Sequence, residues 1–306
     1  MMNKSITAGF RFIAFSREGV RQPLLSIVFF AIYCIGVLGN LLILLVIVID
    51  RHLHTPMYIF LSNLSSVDIF YINITLPKLL NILLSGDNSM SFSQCFTQLY
   101  FYNFIVGTEI MLLSIMAYDR YVAICRPLHY HLIMKKRNLV LLLCMNWISG
   151  CLNSLLFISF ASQLSFCRST EIHHFYCDTK ALVKISCPTI YFQILLQLES
   201  LLCGPLPFMI SLLSYVQIIR TVLQIKSTNS RRKAFSTCTS HLTVLSIFYG
   251  TVICTYMTPI SENSEIIDQI FSILYTAVTP MLNPLIYSLR NKNVKNALHH
   301  LLTHKY

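Results

Sequence analysis

The side chains that could do chemistry in this chain are few, and most stand alone in long uncharged stretches. Asn88–Thr108 holds no Asp, Glu, Lys or Arg; Glu109 follows, then nine more uncharged residues, and the run closes on Asp119-Arg120-Tyr121. Asp68 and Glu199 are isolated in the same way. A charged group at the centre of a bilayer costs at least ~2.5–3.5 kcal/mol. Acids in such surroundings must face a protein interior, take a proton, or find a partner. They suit a buried polar network, or a sodium or protonation site that biases one state over another. The Asp119-Arg120 pair belongs at a membrane–water boundary, where the arginine is either held by its neighbour or released to a partner. Bond chemistry has no comparable support. No HExxH or GxSxG occurs, so no catalytic residue is assigned and the chain does not read as an enzyme. His173, His174, Cys177 and Asp178 are loosely spaced for a metal, and none is assigned.

The elements that must position these residues follow from composition. Of 306 residues 55% are hydrophobic and 11% charged, where a soluble domain carries roughly 25% charged. Uncharged windows recur at Gln22–Ile49, Asn88–Thr108, Asn138–Cys167, Ser200–Ile219, Ala234–Ser261 and Gln269–Leu289. A further window, Met57–Leu80, is broken only by Asp68 and Lys78. About 20 apolar residues span a bilayer as a helix, so the expectation is an all-α membrane protein with seven transmembrane helices. It divides into a tail over residues 1–23, one membrane domain over 24–289, and a terminal segment over 290–306. In that segment Val294, Ala297, Leu298, Leu301 and Leu302 share one helical face, the pattern of a short amphipathic helix on the inner leaflet.

Basic residues orient the bundle. With the N-terminus outside, 15 of the 23 Lys and Arg fall on the cytoplasmic side, accompanied only by Asp50 and Asp119. The net charge of +11 is therefore a topology signal, and a nucleic-acid face is excluded because the bases lie on separate loops. No cleavable signal peptide is visible, and the first span is expected to direct insertion into a multi-pass plasma-membrane topology. Asn3-Lys4-Ser5 is a glycosylation sequon in the outer tail. Among the 11 cysteines, Cys95, Cys167, Cys177 and Cys187 fall outside, where disulfides persist, and spacing alone leaves three pairings open.

Several segments resemble a known family. Met116–Tyr130 reads MAYDRYVAICRPLHY, Leu53–Asp68 reads LHTPMYIFLSNLSSVD, and Lys233–Leu245 reads KAFSTCTSHLTVL. Pro280–Asn291 reads PMLNPLIYSLRN and His174–Cys187 reads HFYCDTKALVKISC, with Gly39-Asn40 upstream. Together and in this order they resemble odorant receptors, the largest branch of the rhodopsin-like G-protein-coupled receptors. The resemblance implies a small, mostly apolar odorant in the outer half of the bundle, and a stimulatory G protein as partner, raising cyclic AMP. It implies disulfides Cys95–Cys177 and Cys167–Cys187. Asp119, Arg120, Tyr121, Tyr215, Asn283, Pro284 and Tyr287 would form the switch. Asp68, Glu109 and Asn283 would form a sodium or proton site, with no other cofactor.

Carried over by position, the ligand set is Tyr102, Asn103, Val106 and Gly107 on the third helix. The fifth adds Leu196, Glu199, Ser200 and Cys203, and the sixth adds Tyr249, Val252 and Tyr256. Tyr102 stands where amine-neurotransmitter receptors carry Asp, so their ammonium mechanism is absent. Glu199 is an unusual acid, expected to select a cationic or hydrogen-bond-donating odorant. Ile260 leaves the outer sixth helix without a base, against a carboxylate-specific pocket. The other readings are a rhodopsin-like receptor for a non-odorant ligand outside the nose and a membrane transporter. A transporter needs paired broken helices, and Pro205 and Pro207 interrupt only one span.

Overall fold

The computed structural model describes residues 9–14, 22–187, 189–257, 265–290 and 292–302. The helices are α1 (Gln22–Ile49), α2 (Pro56–Ser85), α3 (Phe92–Cys125), α4 (Tyr130–Ile133), α5 (Lys136–Ala161), α6 (Thr179–Ile185), α7 (Ile190–Cys203), α8 (Pro205–Gln224), α9 (Thr228–Met257), α10 (Glu265–Ile273), α11 (Thr279–Arg290) and α12 (Lys292–Leu302). Six stretches are long and apolar enough to cross a membrane: α1, α2, α3, α5, α8 and Ile266–Ser288. Within α9, whose side chains are described only in part, the apolar stretch Cys238–Cys254 is shorter. With α9 the bundle has its seven spans. The fifth is α7 continued by α8, interrupted at Gly204-Pro205, where proline cannot supply an amide to the preceding turn.

Side-chain chemistry sets the helix ends. Ser91 and Gln94 form a reciprocal capping box that starts α3, with Gln94 N–H donating to Ser91 Oγ at 3.2 Å. Gly86 ends α2 at φ 72°, a left-handed position that favours glycine. On α5, a Cβ at Gly150 would collide with Thr108 Oγ1, so glycine there sets how closely α5 approaches α3. Asn146 Nδ2 donates to the Thr108 carbonyl at 3.2 Å across the same contact.

Pro284 lies inside α11 and has no amide for the Pro280 carbonyl one turn earlier. Asn40 Nδ2 of α1 donates to that carbonyl at 2.9 Å. Gly39 makes room, since a Cβ there would stand 3.0 Å from Pro284 Cγ. The Gly39-Asn40 pair therefore docks α1 onto the proline. Just upstream, Leu274–Val278 forms a single π-helical turn before Pro280, a widening the sequence pattern does not announce.

The segment expected as an outer tail contributes a strand. Gly9–Phe12 (β1) lies between Ser89–Ser91 (β2), antiparallel, and Glu171–Ile172 (β3), parallel. Phe10 and Phe12 are buried among Ile82, Cys95, Leu99, Phe157, Ile172, Leu182 and Phe192. This outer cluster is a small core of its own, beneath a lid made from three segments distant in sequence. Cys95 is joined to Cys177, and Cys167 to Cys187. Gln98 reinforces the first disulfide, accepting the Cys177 N–H at 2.9 Å and donating to the Ile74 carbonyl at 2.7 Å. A second, larger core runs through the bundle from Phe29 to Tyr287. Many large apolar side chains point outward, among them Leu24, Ile27, Leu38 and Val48 on α1, as a lipid-facing surface requires. At the other end, α12 buries Val294 and Ala297 and exposes Lys295; the side chains of Leu301 and Leu302 lie outside the described residues.

Candidate functional site

Three groups of polar side chains occupy the axis of the bundle. Midway, Asn283 Nδ2 of α11 donates to both carboxylate oxygens of Asp68 on α2, at 3.1 and 2.9 Å. Glu109 of α3 is buried within electrostatic reach of Asp68. Asn283 Oδ1 is buried with no hydrogen-bond partner among the described residues. Two buried acids and an unused amide oxygen make a donor set that fits a small cation or a shared proton.

At one end of the bundle, Arg120 Nε donates to Asp119 Oδ2 at 2.9 Å, and Arg120 Nη2 meets the same oxygen. Both residues are buried. The other oxygen, Asp119 Oδ1, accepts from the Tyr130 hydroxyl at 3.0 Å. Tyr130 is the first residue of the short helix α4, so the inner loop itself is tied to the ion pair. Tyr121 lies outside this cluster, with the Arg126 guanidinium 5.8 Å from its ring centroid. Tyr215 of α8 bonds His241 Nδ1 of α9 at 2.9 Å. Tyr287 is fully buried on α11, and its hydroxyl has no partner among the described residues. Tyr130 and His241 were not singled out by sequence reasoning. Both stand inside the segments quoted for the resemblance, but their roles depend on contacts made across helices.

At the opposite end lies a small, nearly filled cleft lined by Tyr102, Tyr176, Asp178, Lys180, Val252, Ser272 and Tyr275, with about 10 Å³ of free volume. Its rings are contiguous. Tyr102 and Tyr176 have centroids 4.9 Å apart, and Tyr71 packs edge-on against both Tyr102 and Tyr275. The Tyr176 hydroxyl donates to that of Tyr102 at 3.0 Å. Asp178 caps α6, its Oδ2 accepting the Lys180 and Ala181 N–H groups at 2.9 and 3.3 Å. Lys180 Nζ grips both oxygens of Asp268 at 2.9 and 3.0 Å, closing the lid onto α10.

Of the ligand residues expected from sequence, Tyr102 and Val252 meet in this cleft. Asn103 is half-buried, with its amide nitrogen unpaired among the described residues. Val106 is half-buried against the main core, and Tyr249 lies edge-on to Phe208 at 5.0 Å. Others face elsewhere. Gly107 is turned toward Gly150 of α5, and Leu196 packs against the outer core. Glu199 accepts a hydrogen bond from Asn153 Nδ2 at 3.0 Å, pairing α7 with α5 rather than lining the cleft. Asn3 and the side chains of Ser200, Cys203 and Tyr256 lie outside the described residues. The outer-loop members of the cleft were missed because a loop has no periodicity to read. The signal for them was Cys177: once it is tied to Cys95, its neighbours Tyr176 and Asp178 must lie over the top of α3.

His174 hangs the lid from the seventh span through Ser272 Oγ at 3.0 Å. Burial, and secondarily the charge of Lys180, depress this imidazole to about 3. The unfolded lid takes up a proton near the ordinary value of ~6.5, so the contact is at full strength above that pH and is lost as pH falls toward 3. Acidification from pH 7 to 5 should therefore loosen the lid by up to about 2 kcal/mol. A lower protection factor over residues 171–177 at pH 5 than at pH 7, after correction for the slower intrinsic exchange in acid, and loss of that dependence in His174→Asn, is the expected result.

Comparison with known proteins agrees with this architecture. The family described as olfactory receptor matches residues 29–305. Olfactory receptor 1E16 of Mus musculus is 43% identical over 97% of this chain and 95% of its own length. Olfactory receptor 1A1 of Homo sapiens is 44% identical over 98% and 96%. Human olfactory receptor 1L1 reaches 48% over 94% and 79%. The crystal structure of squid rhodopsin superposes with a TM-score of 0.76 at 16% identity, covering 94% of this chain and 87% of its own, a likeness of fold alone. The chain is a multi-pass membrane protein of seven transmembrane helices, and it belongs to the olfactory receptor family.

Proposed function

We propose that this protein binds a small, mostly apolar organic molecule in the outer cleft and, in response, activates a stimulatory G protein that raises cyclic AMP. The observation that carries the reading is the alignment of three polar groups along one bundle: a lidded aromatic cleft, the Asp68–Glu109–Asn283 cluster, and the buried Asp119–Arg120 pair. Ligand in the cleft favours a state in which α9 moves away from α3. That motion parts the Tyr215–His241 contact and exposes Arg120 to the G protein. Asp68, Glu109 and Asn283 would hold a sodium ion or a proton, which offsets one of the two negative charges and so biases the bundle toward one state. The receptor itself makes and breaks no covalent bond. Its N-terminus faces outward, supported by the excess of Lys and Arg on the opposite loops and by two disulfides on the lid side.

The test is cyclic AMP in cells displaying the chain at their surface, against a chemically diverse odorant panel. A response that falls selectively in Val252→Phe, which fills the cleft, supports the reading. Responses indifferent to every cleft substitution would overturn the ligand site. A response carried by a different second messenger would overturn the choice of G protein.

A further inference from the structure

The outer cleft carries charge as well as rings, and its charge is not balanced. Tyr102, Tyr176 and Tyr275 line a space also bordered by Asp178 and Lys180. The one base is committed, because Lys180 Nζ is held by both oxygens of Asp268. Asp178 is only half committed. Its Oδ2 takes both amides of the α6 cap, while Oδ1 takes no hydrogen bond among the described residues. Burial pushes this carboxyl above its ordinary value, against the pull of the cap amides and Lys180. A cationic partner is the group that would offset that burial. Aromatic faces attract a cation through the ring quadrupole, most strongly where water is excluded.

From this arrangement we infer that the cleft selects a small protonated amine, its ammonium on Asp178 Oδ1 and its hydrocarbon body against Tyr102, Tyr176, Tyr275 and Val252. The inference rests on the proposed ligand role of the cleft and names the class of ligand. It replaces Glu199 as the acid that reads a cation, since Glu199 is bonded to Asn153 between α5 and α7. It also differs in place from an acid on the third helix, where this chain has Tyr102. An organic anion at Lys180 is the competing ligand, and the two-oxygen grip of Asp268 stands against it.

The experiment compares matched pairs of equal shape, cyclohexylamine with cyclohexanol and hexylamine with hexanol, on the purified receptor in nanodiscs at pH 7. Binding is read as the ligand-induced shift in thermal unfolding, independently of any G protein. The amines should stabilise the receptor at concentrations roughly 10- to 100-fold below those needed by the alcohols, the worth of one charge-assisted hydrogen bond. Asp178→Asn keeps the α6 cap, since Asn caps as well as Asp, and should erase that difference while leaving the alcohols unchanged. Lys180→Gln should strengthen amine binding by removing a like charge. Equal shifts for amine and alcohol, or a larger shift for hexanoate that is lost in Lys180→Gln, overturn the inference while leaving the cleft as the ligand site. A receptor stabilised by none of these compounds overturns it as well. Signalling by neutral odorants that depends on Val252 would then show that the broader reading of the cleft survives.

Discussion

Arg120→Ala should abolish agonist-driven cyclic AMP per receptor delivered to the surface. The arginine is almost fully buried, both of its contacts to Asp119 fall on Oδ2, and Tyr130 occupies the other oxygen. In the proposed mechanism the guanidinium must leave this carboxylate to serve the partner, so its removal deletes the signalling contact itself. Removing one member of a buried pair also strands the other charge, at a cost of about 3–5 kcal/mol. The informative companions are therefore Asp119→Asn and Tyr130→Phe, which loosen the hold on Arg120 without deleting it. Tyr130→Phe removes one hydrogen bond to a charged acceptor, worth about 1.5–3 kcal/mol. Ligand-free cyclic AMP, normalised to surface protein, should rise by roughly tenfold or more. If both variants stay as quiet as the parent, the ion pair is an anchor and not a latch.

Cys177→Ser should be the most damaging single change on the outer face. The bond to Cys95 closes 82 residues of chain, and the Cys167–Cys187 bond closes 20. Loop-closure entropy assigns about 4–5 kcal/mol to the first and about 3 kcal/mol to the second. The first bond also lies within the outer core, with both sulfurs buried beside Phe10, Phe12 and Leu182. Cys177→Ser is thus expected to lower surface protein and thermal stability more than Cys167→Ser. The reverse order would mean that the lid is held by its sheet and packing instead.

The two changes differ in how far sequence alone could foresee them. The spans were legible because uncharged windows of the required length are a direct physical signature, and α1 runs over the very residues of its window, Gln22–Ile49. That Asp68 faces inward was legible because a lone acid in a membrane span must turn away from lipid; its grouping with Asn283 came from the family resemblance. The outer site was only half legible. Helical spacing places Tyr102 and Val252 on inward faces, but it does not distinguish Gly107, which meets α5, from Val106 one residue away. Glu199 was read as facing a ligand because an acid in a span demands a partner. The partner is Asn153, a polar residue on the neighbouring helix that carries no motif. Tyr176, Asp178 and Lys180 come from a loop whose path is set by a disulfide. The strand Gly9–Phe12 is too short, and its parallel partner Glu171–Ile172 too remote, for alternation to reveal it.

The Asn40–Pro280 bond changes what it means for the seventh span to bend. At Pro284 this helix has no rung of its own to break, so flexing there costs nothing along its own axis. The rung has been handed to α1, which grips the carbonyl from the side. A tilt at that joint must either drag the first helix along or tear a bond between the two. The first helix, which lines neither the ligand cleft nor the ion pair, thereby becomes a brake on any bend at that proline.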